Sequence, residues 1–313
     1  MVTVAVVSSN TRELLLRCLG SLAPEVEAGR ASVWVVDNAS SDGSADAARR
    51  EAPWAQVLEP GKNLGFGPAV NLVARQTDSE WLAAANADVA LESGALETLV
   101  AVGGDPRVAA VAPRLVLPDG NTQHSVYRFP TLPFTVMFNL GALNLSRSLA
   151  DRMLLETYWD PERPRRVDWA IGAFLLLRRS AFDAAGGFDD RQWLYAEDLD
   201  LCWRLADAGF TTRYEPSARI LHESGAATMA AFGDQMTARW MAATYAVLVR
   251  RKGLAHAWAT ACVNLVGAAA RVAWTAPLAL ISSRWREPRD LYRRWLAAHR
   301  QGLRSRAALL RQT

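Results

Sequence analysis

Short apolar runs alternate with amphipathic stretches along the first half of the chain. The apolar runs lie at residues 3–8, 33–37, 55–58 and 81–85. Runs of this length are typical of strands that are buried on both faces of a parallel sheet. Residues 11–23 repeat apolar positions at helical spacing, and Asn10 or Thr11 can serve as the N-cap. With further helices at residues 44–51 and 68–76, the pattern predicts a parallel α/β sheet.

The second half of the chain is less regular. We predict a helix at residues 92–102, a strand at 108–116, a strand at 167–178 that returns to the sheet, and a helix at 199–208. Residues 128–166 contain four prolines and are predicted to be irregular. Long segments of this kind in compact domains often bind a substrate, so we assign this one to an acceptor site.

From residue 230 onward the composition becomes helical, basic and rich in Trp. Residues 233–313 carry fourteen Lys and Arg against three acidic residues, a net charge of +11, so the preceding part carries −8 of the total +3. An acidic body with a basic tail indicates that the tail meets a negatively charged surface. We therefore divide the chain into an α/β domain at residues 1–230 and a helical region at residues 231–313.

The tail contains one long uncharged run, residues 254–270, which Arg271 interrupts. Its seventeen residues fall short of the ~20 that span a bilayer as a helix. We favour helices that lie in the membrane interface, with Trp at the headgroup level and Arg on anionic lipid. Three alternatives stay open: a span formed by residues 254–283, a soluble helical subdomain, and a homodimer contact.

The cysteines and the first residues indicate a compartment. Cys18, Cys202 and Cys262 are odd in number and far apart, in a spacing that matches no disulfide framework or zinc site. This favours ordinary buried thiols in a reducing compartment. The chain begins with strand-like apolar residues rather than a basic leader, so we expect the body of the protein to be cytoplasmic.

Polar motifs follow several predicted strands, at the edge where a parallel sheet binds ligands. They are Asp37-Asn38-Ala39-Ser40, Asn63-Leu64-Gly65-Phe66-Gly67, Asn86-Ala87-Asp88 and Glu197-Asp198-Leu199-Asp200. The glycines suit a close approach of backbone to a ligand, and the helix after them favours phosphate. Carboxylate oxygens such as those of Asp88 suit Mg²⁺ or Mn²⁺.

Each of these acidic residues also has a structural interpretation. Asp37 can cap its turn through Asn38 and Ser40, and Asp88 can cap the next helix. Asp200 lies four residues before Arg204, the spacing of a helical ion pair.

These motifs resemble those of the GT-A glycosyltransferases of family 2, especially the bacterial rhamnosyltransferases that build cell-wall linkers and O-antigens. Three further motifs extend the resemblance: Gly172-Ala173-Phe174-Leu175-Leu176-Leu177-Arg178-Arg179, Gly186-Gly187-Phe188-Asp189 and Tyr195-Ala196-Glu197-Asp198. The resemblance runs from Val4 to about His222. It implies an α/β GT-A catalytic domain with a C-terminal helical, basic, membrane-associating extension.

The resemblance also implies roles for individual residues. Asp198 is the base that deprotonates the acceptor hydroxyl, and Glu197 binds the acceptor or supports the base. Asp88 and His222 hold the divalent metal, Mg²⁺ or Mn²⁺, although a lone His is often only a packed polar side chain. The residues implied in donor binding are Val7, Ser8, Ser9, Asp37, Asn63, Gly65, Asn71, Asn86, Trp169, Gly172 and Ala173.

The sequence departs from the family pattern at two places. Ser8 and Ser9 replace the more usual Thr-Tyr-Asn, so only backbone contacts to the base carry over there. Asn86 replaces the first carboxylate of the Asp-x-Asp motif, which leaves the identity of the metal open.

By resemblance, the chain is an inverting glycosyltransferase at the cytoplasmic face of the cell membrane. The implied donor is dTDP-L-rhamnose and the implied acceptor is a polyprenyl-diphosphate-linked saccharide, with another UDP, GDP or dTDP sugar as the alternative. No nucleic-acid partner is expected. There are two rival classes. A nucleotidyltransferase would have a glycine-rich activation loop, and none is found after Val7. The other class is an inactive nucleotide-binding scaffold, and the retention of Asp88 and Asp198 argues against it.

Overall fold

The computed structural model describes residues 1–223 and 236–311. These residues form two compact units. The first contains residues 1–128 and 159–223, and the second contains residues 129–158 and 236–311. The domain boundary predicted at residue 230 lies outside the described residues. The described part adds a feature that we did not predict, because residues 129–158 belong with the C-terminal helices rather than with the α/β unit.

The described residues of the first unit form two sheets. The strands are β1 Val2–Ser8, β2 Ala31–Asp37, β3 Gln56–Leu58, β4 Trp81–Asn86, β5 Val89–Leu91, β6 Val108–Val116, β7 Val126–Tyr127, β8 Arg165–Val167, β9 Trp169–Ala170, β10 Phe174–Arg178 and β11 Thr211–His222. The larger sheet is mixed and has nine strands in the order β3-β2-β1-β4-β10-β6-β11-β5, with β8 paired to β11. In the smaller sheet β7 pairs with β9.

The sheet is parallel only in part, which corrects the prediction of a parallel sheet. Strands β1 to β4 are parallel, whereas β10 runs antiparallel to both β4 and β6. The strand predicted at residues 167–178 is divided into β8, β9 and β10. It bends at Gly172, whose N–H donates to the Asp198 carboxylate instead of to a strand.

Helices cover the sheet and complete one apolar core. They are α1 Arg12–Glu27, α2 Ser44–Glu51, α3 Phe66–Ala74, α4 Ala95–Val102, α7 Arg179–Ala184 and α8 Glu197–Asp207. Leu15, Leu19 and Leu22 of α1 belong to the same buried cluster as Val33 and Val35 of β2. Burial of each such side chain stabilises the fold by ~1.5–3 kcal/mol.

The register of the parallel strands aligns the ends that carry the polar motifs. Ser8 of β1 pairs with Asp37 of β2, and Val7 pairs with Asn86 of β4. The motifs that are distant in sequence therefore meet at one edge of the sheet.

The second unit consists of helices. They are α5 Leu132–Asn139, α6 Arg147–Arg152, α9 Met236–Lys252, α10 Leu254–Ile281 and α11 Arg286–Arg311. The prediction that residues 128–166 are irregular is wrong, because α5 and α6 lie there. Pro133 lies in the first turn of α5, where its missing N–H removes no hydrogen bond, and Thr131 accepts from the N–H of Phe134.

Arg271 explains why the apolar run of α10 is interrupted. Its guanidinium donates to the carbonyl oxygens of Phe138 and Asn139 and to Asn139 Oδ1, at 2.8–3.3 Å. A cation at these last carbonyls of α5 compensates both their missing partners and the helix dipole. Gly267 allows this approach, because a Cβ there would lie 1.9 Å from Asn139 Oδ1.

The exposed positions of α10 form an unbroken apolar face. They are Leu254, Ala255, Trp258, Cys262, Val266, Ala269, Ala270, Ala273, Trp274, Pro277, Leu280 and Ile281. Within the described ranges α10 is the single helix that is long and apolar enough to cross a membrane, by length and composition. Cys262 is exposed, which corrects the prediction of a buried thiol, whereas Cys18 and Cys202 are buried as predicted.

Candidate active site

Asp37 and Ser8 end two neighbouring strands at the site. Asp37 is buried, and its Oδ1 accepts from the backbone N–H of Ser40 at 3.3 Å and from the Ser40 hydroxyl. The turn-capping interpretation of Asp37 is thus seen in the structure. Ser8 is also buried and bonds Thr11 at 3.0 Å. Contacts of Ser8, Ser9 and Val7 with a nucleotide base stay predictions.

The glycine motif is held to the sheet edge by amide side chains. Asn38 Nδ2 donates to the Gly65 carbonyl at 3.1 Å, and Asn38 Oδ1 accepts from the N–H of Leu64 at 3.2 Å. Asn63 Oδ1 accepts from the N–H of Gly65 at 2.9 Å. Gly65 has φ +85°, and a Cβ there would lie 2.0 Å from the carbonyl oxygen of Trp193. Only glycine fits this close approach of two backbones.

Asn71 connects helix α3 to the loop before the acidic motif. Its Nδ2 donates to the Phe188 carbonyl at 2.8 Å and to Asp190 Oδ1 at 2.9 Å, and its Oδ1 accepts from the N–H of Phe188. The amide is therefore engaged in holding this loop. A direct contact of Asn71 with the donor stays a prediction that this geometry does not favour.

Asp88 and His222 face each other across the pairing of β5 and β11. His222 pairs with Val89, the residue after Asp88, and this register brings the two side chains together. His222 Nε2 lies 3.3 Å from Asp88 Oδ1, and both groups are buried. The N-cap alternative for Asp88 is wrong, because strand β5 follows it and the next helix begins at Ala95 after Gly94.

Gln123 fixes the proton on His222 and was not predicted. In this orientation of its amide, Gln123 Oε1 lies 2.6 Å from His222 Nδ1. An amide oxygen only accepts, so Nδ1 carries a proton and donates it to Gln123, and Nε2 is the ring nitrogen that faces Asp88. Asp88 Oδ1 and His222 Nε2 have no hydrogen-bond partner among the described residues. A carboxylate oxygen and an imidazole nitrogen that face each other in this way fit a bound cation.

No group of three or more His, Cys, Asp and Glu side chains that could hold a metal is found in the part of the chain that the structure describes. Among the described residues, Asp88 and His222 are the two side chains of this kind that face each other. A divalent cation between them would need further ligands beyond these two, and substrate phosphates commonly supply such oxygens to Mg²⁺.

Glu197 and Asp198 are buried at the start of α8. Asp198 Oδ2 accepts from the N–H of Gly172 at 2.8 Å, and Oδ1 accepts from the N–H of Leu199 at 2.7 Å. Burial raises the pKa of both carboxyls, and the charge of Asp198 raises the pKa of Glu197 further, whereas the two N–H donors lower that of Asp198. Glu197 Oε2 is buried without a partner among the described residues. Asp198 is therefore the more readily ionised of the two.

Backbone hydrogen bonds connect this pair to the Asp88 corner. Gly172, which binds Asp198, is followed by Ala173, whose carbonyl accepts from the N–H of Asn86 at 2.9 Å. Asn86 lies two residues before Asp88. The predicted residues Asn86, Gly172 and Ala173 thus lie between the two acidic corners.

Asp200 and Trp169 have structural partners. Asp200 is fully buried and pairs with Arg204 at 2.9 Å, so the helical ion pair predicted as its alternative is present. Trp169 stacks on Tyr127 with ring centroids 4.5 Å apart, and its Nε1 donates to the Arg128 carbonyl. A contact of Trp169 with the donor stays a prediction.

The sequence is similar to a described protein family and to several known proteins. A family model described as Glycosyltransferase like family 2 matches residues 1–243. The N-acetylglucosaminyl-diphospho-decaprenol L-rhamnosyltransferase of Mycobacterium tuberculosis (strain ATCC 25618 / H37Rv) is 36% identical over 227 residues, which are 68% of this chain and 73% of that protein. Rhamnosyltransferase WbbL of Escherichia coli (strain K12) is 29% identical over 203 residues, which are 61% of this chain and 73% of that protein.

Solved structures share the fold. The mannosyltransferase PcManGT from Pyrobaculum calidifontis, in complex with GDP-Man and Mn²⁺, has a TM-score of 0.62 at 21% identity over 96% of this chain and 86% of that one. GalNAc-T7 with UDP, GalNAc and Mn²⁺ has a TM-score of 0.54 at 14% identity over 71% of this chain and 43% of that one. The GT-A fold is confirmed, and the nucleotidyltransferase alternative is wrong. The chain belongs to the family-2-like glycosyltransferases.

Proposed function

We propose that the protein transfers L-rhamnose from dTDP-L-rhamnose to a polyprenyl-diphosphate-linked saccharide, with inversion at the anomeric carbon. The observation that carries the proposal is the arrangement of the Asp88–His222 and Glu197–Asp198 corners, joined through Asn86, Ala173 and Gly172. Donor and acceptor are inferred from the similarity to the mycobacterial decaprenol-linked rhamnosyltransferase. The product would enter cell-wall or surface polysaccharide synthesis.

Asp198 is the proposed base. Its carboxylate takes the proton of the acceptor hydroxyl, the acceptor oxygen bonds to C1 from the face opposite the nucleotide, and the C1–O bond to the diphosphate breaks with its electron pair on the diphosphate. A base must be ionised at the start of this step. The N–H groups of Gly172 and Leu199 favour the ionised form of Asp198, whereas Glu197 keeps its proton more readily and can donate it to an acceptor oxygen.

Asp88 and His222 would hold a divalent cation, Mg²⁺ or Mn²⁺, through Oδ1 and Nε2. When bound there, the cation supplies positive charge that stabilises the departing diphosphate. The proposal is supported by the unpartnered, buried state of both atoms among the described residues and by the proton that Gln123 fixes on the far side of the imidazole. The contacts of Asn38 and Asn63 would hold the glycine motif against the nucleotide.

The second unit is proposed to bind the anionic cytoplasmic face of the cell membrane. The exposed apolar face of α10 supplies lipid-soluble surface, including Trp258 and Trp274. Exposed arginines of α11 supply the complementary charge: Arg286, Arg293, Arg294, Arg300 and Arg304. Apolar area and cationic charge on the same unit are the features of a helix that lies in the interface. A polyprenyl acceptor would reach the enzyme from that surface.

The experiment that tests the proposed reaction is a screen of nucleotide sugars for metal-dependent release of nucleoside diphosphate, with and without polyprenyl-diphosphate-linked N-acetylglucosamine. We expect acceptor-dependent release from dTDP-L-rhamnose. Asp88→Ala should weaken Mn²⁺ and dTDP binding together, whereas Asp119→Ala, which removes the same charge in an exposed turn, should change neither. Release from a different sugar would correct the donor, and nucleotide binding without release from any sugar would favour the inactive scaffold.

A further inference from the structure

Ser125 carries a buried hydroxyl that the proposed mechanism does not use. Ser125 is 2% exposed, and its Oγ has no hydrogen-bond partner among the described residues. A buried polar group left unpaired costs ~1–3 kcal/mol. Its backbone is nevertheless fixed, because the Ser125 carbonyl accepts from the N–H of Ile171 at 2.9 Å. The hydroxyl is thus held in place in the protein without a partner of its own.

The segment that carries Ser125 joins the two acidic corners of the active site. Two residues before it, Gln123 contacts His222 Nδ1 at 2.6 Å. On its other side, Ile171 is followed by Gly172, whose N–H donates to Asp198 Oδ2 at 2.8 Å. The backbone of Ser125 is therefore linked through its neighbours to both the cation corner and the proposed base.

Other buried polar atoms at these corners share its condition. Asp88 Oδ1, His222 Nε2 and Glu197 Oε2 also have no hydrogen-bond partner in the described part of the chain. At a binding site such a group can be paired by the ligand, and the cost of leaving it unpaired is then recovered on binding. The same argument applies to the Ser125 hydroxyl, on the segment that links the two corners.

We infer that the Ser125 hydroxyl hydrogen-bonds a hydroxyl of the sugar that is transferred. The inference rests on the proposed function, because an inverting displacement places the hexose between the diphosphate at Asp88 and the acceptor oxygen at Asp198. A serine hydroxyl can both donate and accept, as a sugar hydroxyl can. Ser125 is then a residue that distinguishes a nucleotide sugar from the free nucleotide.

The test compares dTDP with dTDP-L-rhamnose on the full chain and on Ser125→Ala, in the presence of Mn²⁺. Wild type should bind the two ligands with different affinities or be stabilised by them to different extents. Ser125→Ala should weaken dTDP-L-rhamnose binding by ~5–15-fold, the value of one hydrogen bond, and leave dTDP binding unchanged. Without ligand its melting temperature should be equal or higher, because an unpaired hydroxyl has been removed.

Thr260→Val is the matched control. Thr260 lies in α10 of the second unit, is 1% exposed, and its Oγ1 is also buried without a partner among the described residues. The variant removes a comparable hydroxyl far from the segment in sequence, so binding of both ligands should equal that of wild type.

The outcomes separate the two proposals. If wild type binds neither ligand, the proposed function fails and this inference falls with it. If wild type binds both and Ser125→Ala binds dTDP-L-rhamnose as wild type does, this inference alone is wrong. A Ser125→Ala protein that melts lower without ligand would show that the hydroxyl has a structural partner, and would also overturn it.

Discussion

At the scale of single residues, the two adjacent carboxyls of the acidic motif differ in the backbone hydrogen bonds that they accept. Asp198 accepts two N–H groups, whereas one oxygen of Glu197 is buried without a partner among the described residues. The same burial therefore produces two different proton affinities. The difference supports the proposal that the two neighbours have distinct roles, with Asp198 as the base.

Replacing Asp198 by Asn tests the base. The variant keeps the shape and removes the proton acceptor, so kcat should fall by ~10²–10⁴-fold, while the dissociation constant of the donor barely changes. Glu197→Gln should be milder and should raise the acceptor KM more than it lowers kcat. Steady-state kinetics with donor titrations measure both. A dead Glu197→Gln together with an active Asp198→Asn would reverse the assignment.

The same pair predicts opposite effects of pH on activity and stability. Activity should fall as pH decreases toward the raised pKa of Asp198, because the base becomes protonated. Stability should fall as pH rises above about 4.3, the ordinary pKa of Glu, because Glu197 loses its proton more easily when unfolded. Glu197→Gln should remove the part of this loss that comes from Glu197, while the part that comes from the raised pKa of Asp198 remains. The advantage of Glu197→Gln over wild type in free energy of unfolding should therefore increase with pH.

Sequence could predict the acidic residues but not all of their partners. Asp88, Asp198 and His222 stand in motifs, and the structure places them at two corners of one sheet edge. Gln123 and Ser125 lie in an extended segment that has no distinctive spacing. Their position depends on contacts with His222 and Ile171, residues about 45 to 100 positions away, and local sequence does not record such contacts.

At the scale of elements, helix α8 is fixed by an ion pair that also holds the loop before it. Arg204 pairs with Asp200 and donates to the carbonyl oxygens of Ala185 and Gly187. Tyr195 and Ala196, just before the helix, both have positive φ, at 64° and 59°. Such backbone costs ~1–3 kcal/mol at each residue and persists only where the surroundings enforce it. The ion pair fixes the helix that follows these two residues and the start of the loop that precedes them.

Arg204→Met should therefore destabilise the protein by ~3–5 kcal/mol, because it removes the ion-pair partner of a fully buried carboxylate and the donor to the carbonyl oxygens of Ala185 and Gly187. The double variant Asp200→Asn/Arg204→Met should recover part of this loss. Urea unfolding measures the free energy. Arg107→Met is the control, since its pair with Asp105 is exposed and such pairs contribute ~1 kcal/mol or less. An equal loss in both single variants would contradict the role given to Arg204.

Periodicity predicted the elements of the first half better than those of the second. Residues 44–51 are a helix with the predicted bounds, and the strand predicted at residues 81–85 runs from Trp81 to Asn86. The prediction of an irregular segment at residues 128–166 fails because Pro133 lies in the first turn of α5, where a helix tolerates proline. The strand predicted at 167–178 is broken at Gly172, which donates to Asp198. At Gly172 the hydrogen bond to Asp198 takes the place of the strand conformation that the local sequence predicts.

At the scale of the whole molecule, the chain enters the second unit twice, at residues 129–158 and again after residue 236. Arg271 of α10 donates to the last carbonyls of α5, so the two segments depend on each other. Truncation near residue 230 would remove these partners and confuse loss of membrane contact with loss of structure. Membrane binding is better tested by surface substitutions in the intact chain.

The double variant Val266→Glu/Trp274→Glu adds two charges to the exposed apolar face of α10, where the side chains of Val266 and Trp274 are 69% and 71% exposed. It should reduce sedimentation with vesicles that contain anionic lipid, because a carboxylate is costly to insert among acyl chains. Gln56→Glu/Gln76→Glu adds the same charge at exposed positions of the first unit and should sediment as wild type.

Binding of wild type should also weaken as salt rises, since exposed arginines are screened beyond ~8 Å at physiological ionic strength. If sedimentation is independent of salt and is unchanged in Val266→Glu/Trp274→Glu, a membrane-spanning α10 is favoured. If wild type remains in solution at low salt, a soluble helical unit or a dimer contact on the same face is favoured.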